Sequence, residues 1–382
     1  MQICKFAIPE LIFGNGALAQ VGEATHRLGA TRPLVVCDGG VRKAGWLDQM
    51  MVGMAAQQLD PVLWSAFTSN PKDSEITAGA AIYQADNCDA IIALGGGSCI
   101  DAAKAIAVLS SNGGRIQDYE GIDQIDRSLP PMVMVPTTAG SASDVSQFAA
   151  IMDTRWRTEM TLISRSLIPD ISITDPLLLT TLGPWQTACT GMDALTHGIE
   201  AYLSVAATFL TDQHALAGIR LVATHLQASV ADQQDLVAKE AMARGSLHAG
   251  LASCNAILGA THAMANQVGG MMDQVHGEVN AIVLPYVMEF NLEVYPERFP
   301  PIAEALGINV QGLSSLEAGY AAIDACRELA RRIGLTRRLA DLGVTDALIP
   351  QLSAQTMRDA CMVTNPRTAT TEEIVQLFQA AL

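Results

Sequence analysis

The sequence predicts two domains: an α/β domain built on a parallel β-sheet over residues 1–182, and an all-α domain over residues 183–382. Three observations support this prediction. The chain has 382 residues, more than one compact core usually holds. Its first half repeats a short apolar run, a glycine-bearing turn and a helical pattern, which is typical of a parallel sheet covered on both faces. In its second half Ala, Leu and Met recur at helical spacing, and strand-like runs nearly vanish.

The elements of the first domain follow from short apolar runs that are bounded by Gly, Pro, Asn or Asp. Strands are predicted at residues 34–37, 61–64, 90–94 and 132–135. Helices are predicted from about residue 43, at residues 74–86 and from the turn at Gly95 to residue 109. Beyond them we expect a hairpin of residues 146–152 and 160–163 and a last strand at residues 171–174.

The sequence pattern changes after Gly183-Pro184, and we place the domain boundary near residues 180–184. A further helical run begins at His262. The other predicted helices cover residues 185–204, 211–227, 231–254, 276–294, 314–333 and 371–381.

Composition and charge exclude several classes of protein. Hydrophobic residues make up 49% and charged residues 16% of the chain, which argues for a well-packed globular enzyme and against disorder. The formal net charge is -16 and the 23 Lys and Arg are scattered, so no nucleic acid and no acidic membrane surface is expected as a partner. No signal peptide and no transmembrane run is evident, and the eight cysteines show no CxxC pairing. We therefore expect a cytoplasmic protein with reduced thiols.

Two turns at predicted strand ends suggest a nucleotide site. Gly95-Gly-Gly-Ser98 opens a helix directly after a buried strand, where glycine lets a ligand approach the backbone and the helix N-terminus favours phosphate. The usual GxGxxG fingerprint is absent, and a tight turn without a ligand is the alternative. A second hydroxyl-rich turn, Pro136-Thr-Thr-Ala-Gly140, follows another strand. Because strand ends of a parallel sheet share one edge, the two turns together favour a dinucleotide crevice.

Three charged side chains accompany these turns. Asp38 follows the first of the predicted strands, where a carboxylate accepts hydrogen bonds from ribose hydroxyls and repels a 2′-phosphate. This favours NAD over NADP, and the alternative is an Asp that only shapes the turn before Gly39. Asp101 and Lys104 lie on the helix after the glycine turn. Lys104 is either a solvated surface lysine or a neighbour of the phosphates.

A carboxylate and three histidines form a candidate metal site. Asp193 and His197 stand four residues apart in a helical run, so both point to one face of the helix. His262 and His276 follow in later helices, and the four side chains together suit iron(II) or zinc, or else manganese, nickel or cobalt. For a single histidine the alternative is a hydrogen-bonded side chain without a metal. Glu200 is either a ligand or, as we favour, a surface carboxylate or one that orients a ligand. The remaining histidines are assigned to ordinary hydrogen-bonded positions: His26, His214, His225 and His248.

These motifs resemble the iron-containing (group III) alcohol dehydrogenase family over essentially the whole chain. The matching stretches are Ile8-Pro-Glu-Leu-Ile-Phe-Gly14, the two turns above with Asp101 and Lys104, Thr190-Gly-Met-Asp-Ala-Leu-Thr-His-Gly-Ile-Glu-Ala-Tyr202, His262-Ala-Met-Ala, His276-Gly277 and Thr364-Asn-Pro-Arg367.

The resemblance implies the architecture shared with dehydroquinate synthase, with a dinucleotide-binding α/β domain and a helical domain. It also implies metal ligands at Asp193, His197, His262 and His276, and an oligomer built from dimers. The resemblance also implies cofactor contacts beyond the glycine turn and Asp101. The expected cofactor-binding residues are Asp38, Asn70, Gly96, Gly97, Ser98, Asp101, Thr137, Thr138, Ser146 and Leu178.

Two positions depart from the family pattern. Asn266 stands four residues after His262, where members commonly carry a second histidine that faces the substrate. An amide forms hydrogen bonds but does not titrate near neutral pH, so either the proton leaves by another route or the substrate range differs. Glu159 stands where members commonly carry a lysine that contacts the cofactor. A cofactor contact is then lost or reversed in charge.

The expected reaction is reversible hydride transfer between nicotinamide and a small primary alcohol, aldehyde or diol, with the metal as Lewis acid. The first alternative is a non-redox enzyme on the same scaffold, as in dehydroquinate synthase. It would need basic side chains for an acidic or phosphorylated substrate, and few Lys or Arg lie near the ligand motifs in the helical half. The second alternative is a non-catalytic sensor that keeps the fold, which only Asn266 and Glu159 favour.

Overall fold

The computed structural model describes residues 4–156 and 158–382. Within them the chain forms two compact units. We call residues 7–138 and 142–182 the sheet unit, and residues 4–6, 139–141 and 183–382 the helical unit.

The sheet unit alternates strands and helices along the chain. Its elements are β1 (Glu10–Phe13), α1 (Val21–Arg27), β2 (Pro33–Cys37), α2 (Gly39–Lys43), α3 (Trp46–Ala56), β3 (Val62–Trp64), α4 (Asp73–Ala85), β4 (Ala90–Gly95), α5 (Gly97–Asn112), β5 (Gly121–Ile122), β6 (Met132–Pro136), β7 (Phe148–Asp153), β8 (Thr158–Ile163) and β9 (Ile171–Thr174).

Six of these strands form one sheet in the order β1-β9-β6-β4-β2-β3, and every neighbouring pair is parallel. Successive side chains of a strand point to opposite sides of the sheet, and both sides are buried here. Leu34 and Val36 of β2 belong to one apolar cluster, whereas Val35 and Cys37 belong to the cluster on the other face. The predicted parallel sheet is therefore confirmed, and the carboxyl ends of β2, β4 and β6 lie at one edge.

The hairpin predicted before residue 171 is also present, as the antiparallel pair β7 and β8, which with β5 forms a second sheet of three strands. One helix starts later than predicted. Instead of one helix from residue 43, the short α2 ends and Gly45, at φ 81°, turns the chain into α3. The prediction missed β1, whose short Glu-Leu-Ile-Phe stretch is only half buried and pairs with β9 at the edge of the sheet.

The helical unit contains nine α-helices among its described residues. They are α6 (Pro184–Leu203), α7 (Phe209–Ala231), α8 (Leu236–Ala256), α9 (Ala260–Met272), α10 (His276–Leu292), α11 (Phe299–Ala305), α12 (Ser315–Arg332), α13 (Ile349–Thr356) and α14 (Thr371–Ala381).

Local signals set several of these boundaries. Ser314 and Thr370 cap α12 and α14 through capping boxes, in agreement with the predicted starts. By contrast, α8 starts five residues after the predicted position because the Asp235 side chain accepts the N–H of Ala238 and so begins the helix there. The short helices α11 and α13 were not predicted, since one or two turns show too little periodicity.

Helix α6 lies at the centre of this unit and packs against α7, α8 and α10. Glycines allow the close approach. A Cβ on Gly191 would stand 2.1 Å from Leu226 Cδ1 of α7, and one on Gly277 of α10 would stand 2.0 Å from the Cys189 carbonyl oxygen. The side chains in the middle of α6 are therefore held inside the helical unit. No helix within residues 4–156 and 158–382 is both long and apolar enough to span a membrane.

Candidate metal and cofactor sites

Helix α6 presents Asp193 and His197 one turn apart on its buried side, where each residue is 7% exposed. The Nδ1 atom of His197 lies 2.9 Å from the main-chain oxygen of Asp193, the geometry of an N–H donating to a carbonyl. In that tautomer Nε2 keeps its lone pair and is the nitrogen that can bind a metal.

His262 near the start of α9 completes a group of three possible ligands. Its Nε2 lies 3.6 Å from Oδ1 of Asp193, and its ring centroid lies 4.4 Å from that of His197. One donor atom from each of Asp193, His197 and His262 lies within 4.8 Å of the other two. One carboxylate and two imidazoles this close, all buried, match the donor set of a divalent cation such as iron(II) or zinc.

Glu200 fixes the orientation of His262. Its Oε2 lies 2.6 Å from Nδ1 of His262, and its carboxylate also accepts the backbone N–H groups of Gly259 and Thr261 at 3.0 and 2.6 Å. The carboxylate is thus buried and fully used, and it directs Nε2 of His262 toward Asp193. The sequence favoured either a surface carboxylate or one that orients a ligand. Glu200 does not lie on the surface, so the first alternative is wrong, and the second fits the geometry.

The charges in this group reinforce one another. Burial raises the pKa of Asp193, but His197, His262 and His276 outweigh burial and lower it to about 2. Burial lowers the pKa of His197 to about 4, so this imidazole is neutral at pH 7. For His262 burial also lowers the pKa, but the nearby carboxylates of Asp193 and Glu200 outweigh burial and raise it to about 9. The field of two ionised carboxylates that holds a proton on His262 also attracts a cation.

His276, the fourth predicted ligand, begins α10 and is half-buried. Its Nε2 lies 3.3 Å from the point where a Cβ on Gly269 of α9 would stand. It is close enough to Asp193 to lower the pKa of that carboxyl, yet it lies outside the group whose donor atoms are within 4.8 Å. The structure thus brings three of the four predicted ligands together, and His276 as the fourth stays a prediction.

Two site residues were missed from the sequence. Asn280 is fully buried, and its Nδ2 donates to Oδ1 of Asp193 at 2.8 Å and lies 3.2 Å from Nε2 of His262. It stands four residues after His276 on the same helix, a spacing that was available as a signal. Asp359 was also missed: its Oδ2 accepts from Nδ2 of Asn266 at 3.0 Å and from Nε2 of Gln267 at 3.1 Å. Nothing local to residue 359 indicates this contact.

The two predicted turns meet at the edge of the sheet. A Cβ on Gly96 would stand 3.1 Å from Cγ2 of Thr138, and one on Gly95 would stand 3.4 Å from Oδ2 of Asp38. The N–H of Thr137 donates to the Gly95 carbonyl at 2.9 Å. Asp38 and Thr138, at the ends of β2 and β6, therefore flank the backbone of Gly95 and Gly96 at the end of β4, which carries no side chain. We call this backbone the strip; a larger residue there would fill the space.

One carboxylate oxygen of Asp38 shapes the turn before Gly39. Its Oδ1 accepts the N–H groups of Gly40 and Val41 at 2.7 and 3.0 Å and so caps α2. Its Oδ2 accepts no hydrogen bond from any residue that the structure describes, so one oxygen is left for ribose hydroxyls. No side chain caps the start of α5, which leaves the N-terminus of this helix open to an anion. There Ser98 donates from Oγ to the Ser69 carbonyl, next to the half-buried Asn70.

Farther along α5 the polar residues are buried. Two positions were expected for Lys104, on the solvated surface or near the phosphates. The first of these, a solvated surface lysine, is wrong. Lys104 is fully buried, and its Nζ donates to the carbonyls of Ser146 and Phe148 at 2.7 and 2.9 Å. Asp101 has a buried Oδ1 without a hydrogen-bond partner in the described structure, and burial raises its pKa to about 6. Leu178 is fully buried in an apolar cluster on the sheet.

Known proteins resemble this chain over nearly its whole length. The family model for iron-containing alcohol dehydrogenase matches residues 9–176, and the model for the C-terminal part of the same family matches residues 187–382. The 1,3-propanediol dehydrogenase of Citrobacter freundii is 39% identical over 379 residues, 98% of either chain. The NAD-dependent methanol dehydrogenase of Bacillus methanolicus is 36% identical over 99% of either chain. A crystal structure of a 1,3-propanediol oxidoreductase superposes with a TM-score of 0.97 at 38% identity over the full length of both chains.

Proposed function

The chain belongs to the iron-containing alcohol dehydrogenase family, and on that premise we propose that it interconverts small primary alcohols or diols and their aldehydes at an iron(II) ion. It is an NAD-dependent alcohol oxidoreductase, and the family implies NAD and a divalent metal as its cofactors. Zinc is the second choice of metal, since one carboxylate and several imidazoles accept either ion.

One observation carries this proposal. Asp193, His197 and His262 place three metal-binding donor atoms within 4.8 Å of one another inside the helical unit. The metal supplies Lewis acidity toward the alcohol or aldehyde oxygen, and NAD supplies the hydride acceptor. The residues of this chain hold the metal ion and orient its ligands. Asp193, His197 and His262, with His276 as a fourth, retain the ion, while Glu200 keeps the His262 ring in the orientation that presents Nε2.

At the edge of the sheet, we assign the cofactor to the strip between Asp38 and Thr138. The free oxygen of Asp38 would accept the ribose hydroxyls and disfavour a 2′-phosphate, which selects NAD. Gly96 and Gly97 would let the pyrophosphate reach the uncapped start of α5. Contacts from the remaining predicted residues are part of the same proposal: Asn70, Ser98, Asp101, Thr137, Ser146 and Leu178.

Two broader expectations belong with this proposal. The eight cysteines are free thiols, which supports an enzyme of the reducing cytoplasm. The family resemblance supports a homodimer or a larger homo-oligomer, which light scattering on the purified protein would measure.

The test is the absorbance of NADH at 340 nm with NAD, iron(II) or zinc, and a panel of methanol, ethanol, longer alkanols and diols. We expect NADH to form with at least one primary alcohol and to be consumed with the matching aldehyde. Replacing NAD by NADP should lower the rate. If no alcohol or aldehyde changes the absorbance with either metal, the proposed reaction is wrong and the alternative of a non-catalytic protein gains support.

A further inference from the structure

The next inference rests on the proposed function and concerns the residue beside the metal ligands on α9. His262, Asn266 and Gly269 follow one another at intervals of four and three residues, so they lie along one face of the helix. His276 of α10 lies against Gly269, with Nε2 3.3 Å from where its Cβ would be. Asn266 therefore occupies the stretch of the α9 surface between two candidate ligands.

The orientation of the Asn266 amide is set by Asp359. Its Nδ2 donates to Oδ2 of Asp359 at 3.0 Å, and the same oxygen accepts from Gln267 at 3.1 Å. The other carboxylate oxygen accepts the N–H of Cys361 at 2.9 Å, which ties the carboxylate to the backbone. Since an ionised carboxylate only accepts hydrogen bonds, the amide must turn its NH₂ group toward Asp359 and its Oδ1 away.

Helix geometry indicates the side to which Oδ1 points. With His262 at zero, successive residues advance by about 100°, which places Asn266 at about +40°, Gln267 at about +140° and Gly269 at about −20°. Asp359 binds Asn266 and Gln267 together, so it lies on the Gln267 flank. Oδ1 of Asn266 then faces the flank of His262 and Gly269. It receives no hydrogen bond from any residue the structure describes.

Asn266 is half-buried, and its amide oxygen, which no described residue hydrogen-bonds, can accept a hydrogen bond from a donor on a ligand. Residues four apart on a helix have Cβ atoms about 5–6 Å apart, a span comparable to a short carbon chain with an oxygen at each end. We propose that Asn266, positioned by Asp359, accepts a hydrogen bond from the second hydroxyl of a short terminal diol, or of the corresponding hydroxyaldehyde, and so favours diols over monoalcohols of equal length. Because an amide does not titrate near neutral pH, this role is binding and not proton transfer.

The size of the effect follows from one hydrogen bond. A neutral hydrogen bond contributes about 0.5–1.5 kcal/mol net, which corresponds to a preference of roughly 2- to 12-fold. The quantity to measure is the ratio of kcat/KM for 1,3-propanediol to kcat/KM for 1-propanol, with NAD and a saturating metal. Asn266→Leu removes the acceptor at similar volume and should lower this ratio by that factor, mainly through the KM of the diol.

Asp359→Asn tests the positioning role and serves if the first variant fails to fold. Its amide can donate as well as accept, so the Asn266 side chain is no longer held in one orientation and the ratio should fall by a smaller factor. The double variant should lose no more than Asn266→Leu alone, because both changes act through the same oxygen. Gln379→Leu, an amide replaced at an exposed position of α14, is the matched control and should leave the ratio unchanged.

Binding gives a second readout that does not depend on turnover. In the wild-type protein with metal and without NAD, so that no hydride is transferred, 1,3-propanediol should raise Tm more than 1-propanol does, and the difference should disappear in Asn266→Leu. A ratio unchanged in Asn266→Leu, or an equal loss for both alcohols, would overturn the inference while the alcohol dehydrogenase activity stands. Failure of the proposed function looks different, since the wild-type protein would then turn over neither alcohol.

Discussion

Replacing Glu200 with Gln should weaken metal binding although Glu200 is not itself a proposed ligand. The substitution keeps the shape of the side chain but removes its charge and turns one acceptor oxygen into a donor. In the structure each oxygen of Glu200 accepts from a buried donor, Oε1 from the Thr261 N–H at 2.6 Å and Oε2 from Nδ1 of His262 at 2.6 Å. An NH₂ group at either position therefore faces a donor.

The magnitude has two parts. Losing the partner that orients a metal-binding histidine typically weakens metal affinity by about 10- to 100-fold, or roughly 1.4–2.7 kcal/mol. Leaving a buried donor unpaired costs about 1–3 kcal/mol in stability. Glu200 is 4% exposed, so water cannot replace the lost contact and we expect both effects in full. Folding should survive, since the packing volume is unchanged.

The assay is competition between the protein and a chelator of known affinity for zinc, with urea unfolding of the metal-free protein in parallel. Glu240→Gln is the matched control, because it makes the same chemical change in an exposed pair with Arg244 on α8. The control should change neither quantity by more than a factor of about two or by about 0.5 kcal/mol. A metal Kd for Glu200→Gln equal to that of the wild-type protein would refute the reasoning that Glu200 orients a ligand.

Three further predictions concern the sheet unit. Asp38→Ala should raise the KM for NAD by about tenfold and reduce the preference of the enzyme for NAD over NADP, as measured by steady-state kinetics. Loss of the α2 cap should also lower the free energy of unfolding in urea by about 1 kcal/mol. An unchanged cofactor preference would contradict the assignment. Gly96→Ala should weaken NAD binding at least tenfold, because its methyl group would stand 3.1 Å from Thr138 Cγ2 and fill the strip, while metal affinity measured by chelator competition stays the same. Asp101→Asn should reduce the pH dependence of the free energy of unfolding. Burial raises the folded-state pKa of Asp101 to about 6, so the native protein loses at most about 3 kcal/mol of stability as pH rises from about 4 to about 6. Urea unfolding between pH 4 and 7 should show this slope in the wild-type protein and a smaller slope in the variant.

The features that were predictable from the sequence are those that depend on local periodicity. The apolar run of β4 and the glycine turn after it identified both the strand and the start of α5, since a buried parallel strand needs only its own residues to be recognised. In the same way the spacing of Asp193 and His197 was enough to place both on one face of α6, because a helix fixes the relation of residues four apart.

The features that were missed depend on contacts between distant parts of the chain. Asp359 meets Asn266 across 93 positions, and no pattern near either residue indicates the pair. The burial of Lys104 is a similar case, because a lysine is usually solvated and only the carbonyls of Ser146 and Phe148 make the buried position tolerable. Edge strand β1 escaped prediction because half of its short length is exposed, and its pairing with β9 provides what periodicity does not.

The most direct test of the central claim is an anaerobic titration of the metal-free protein with iron(II), in which bound metal and NADH formation from a primary alcohol are measured together. The wild-type protein should gain activity in proportion to bound iron up to one ion per chain. The variant His262→Ala should bind the ion weakly and stay inactive, while His26→Ala, at an exposed position of the sheet unit, should behave like the wild type. Full metal occupancy with unchanged turnover in His262→Ala would contradict the account, as would turnover by the wild-type protein that does not depend on added metal.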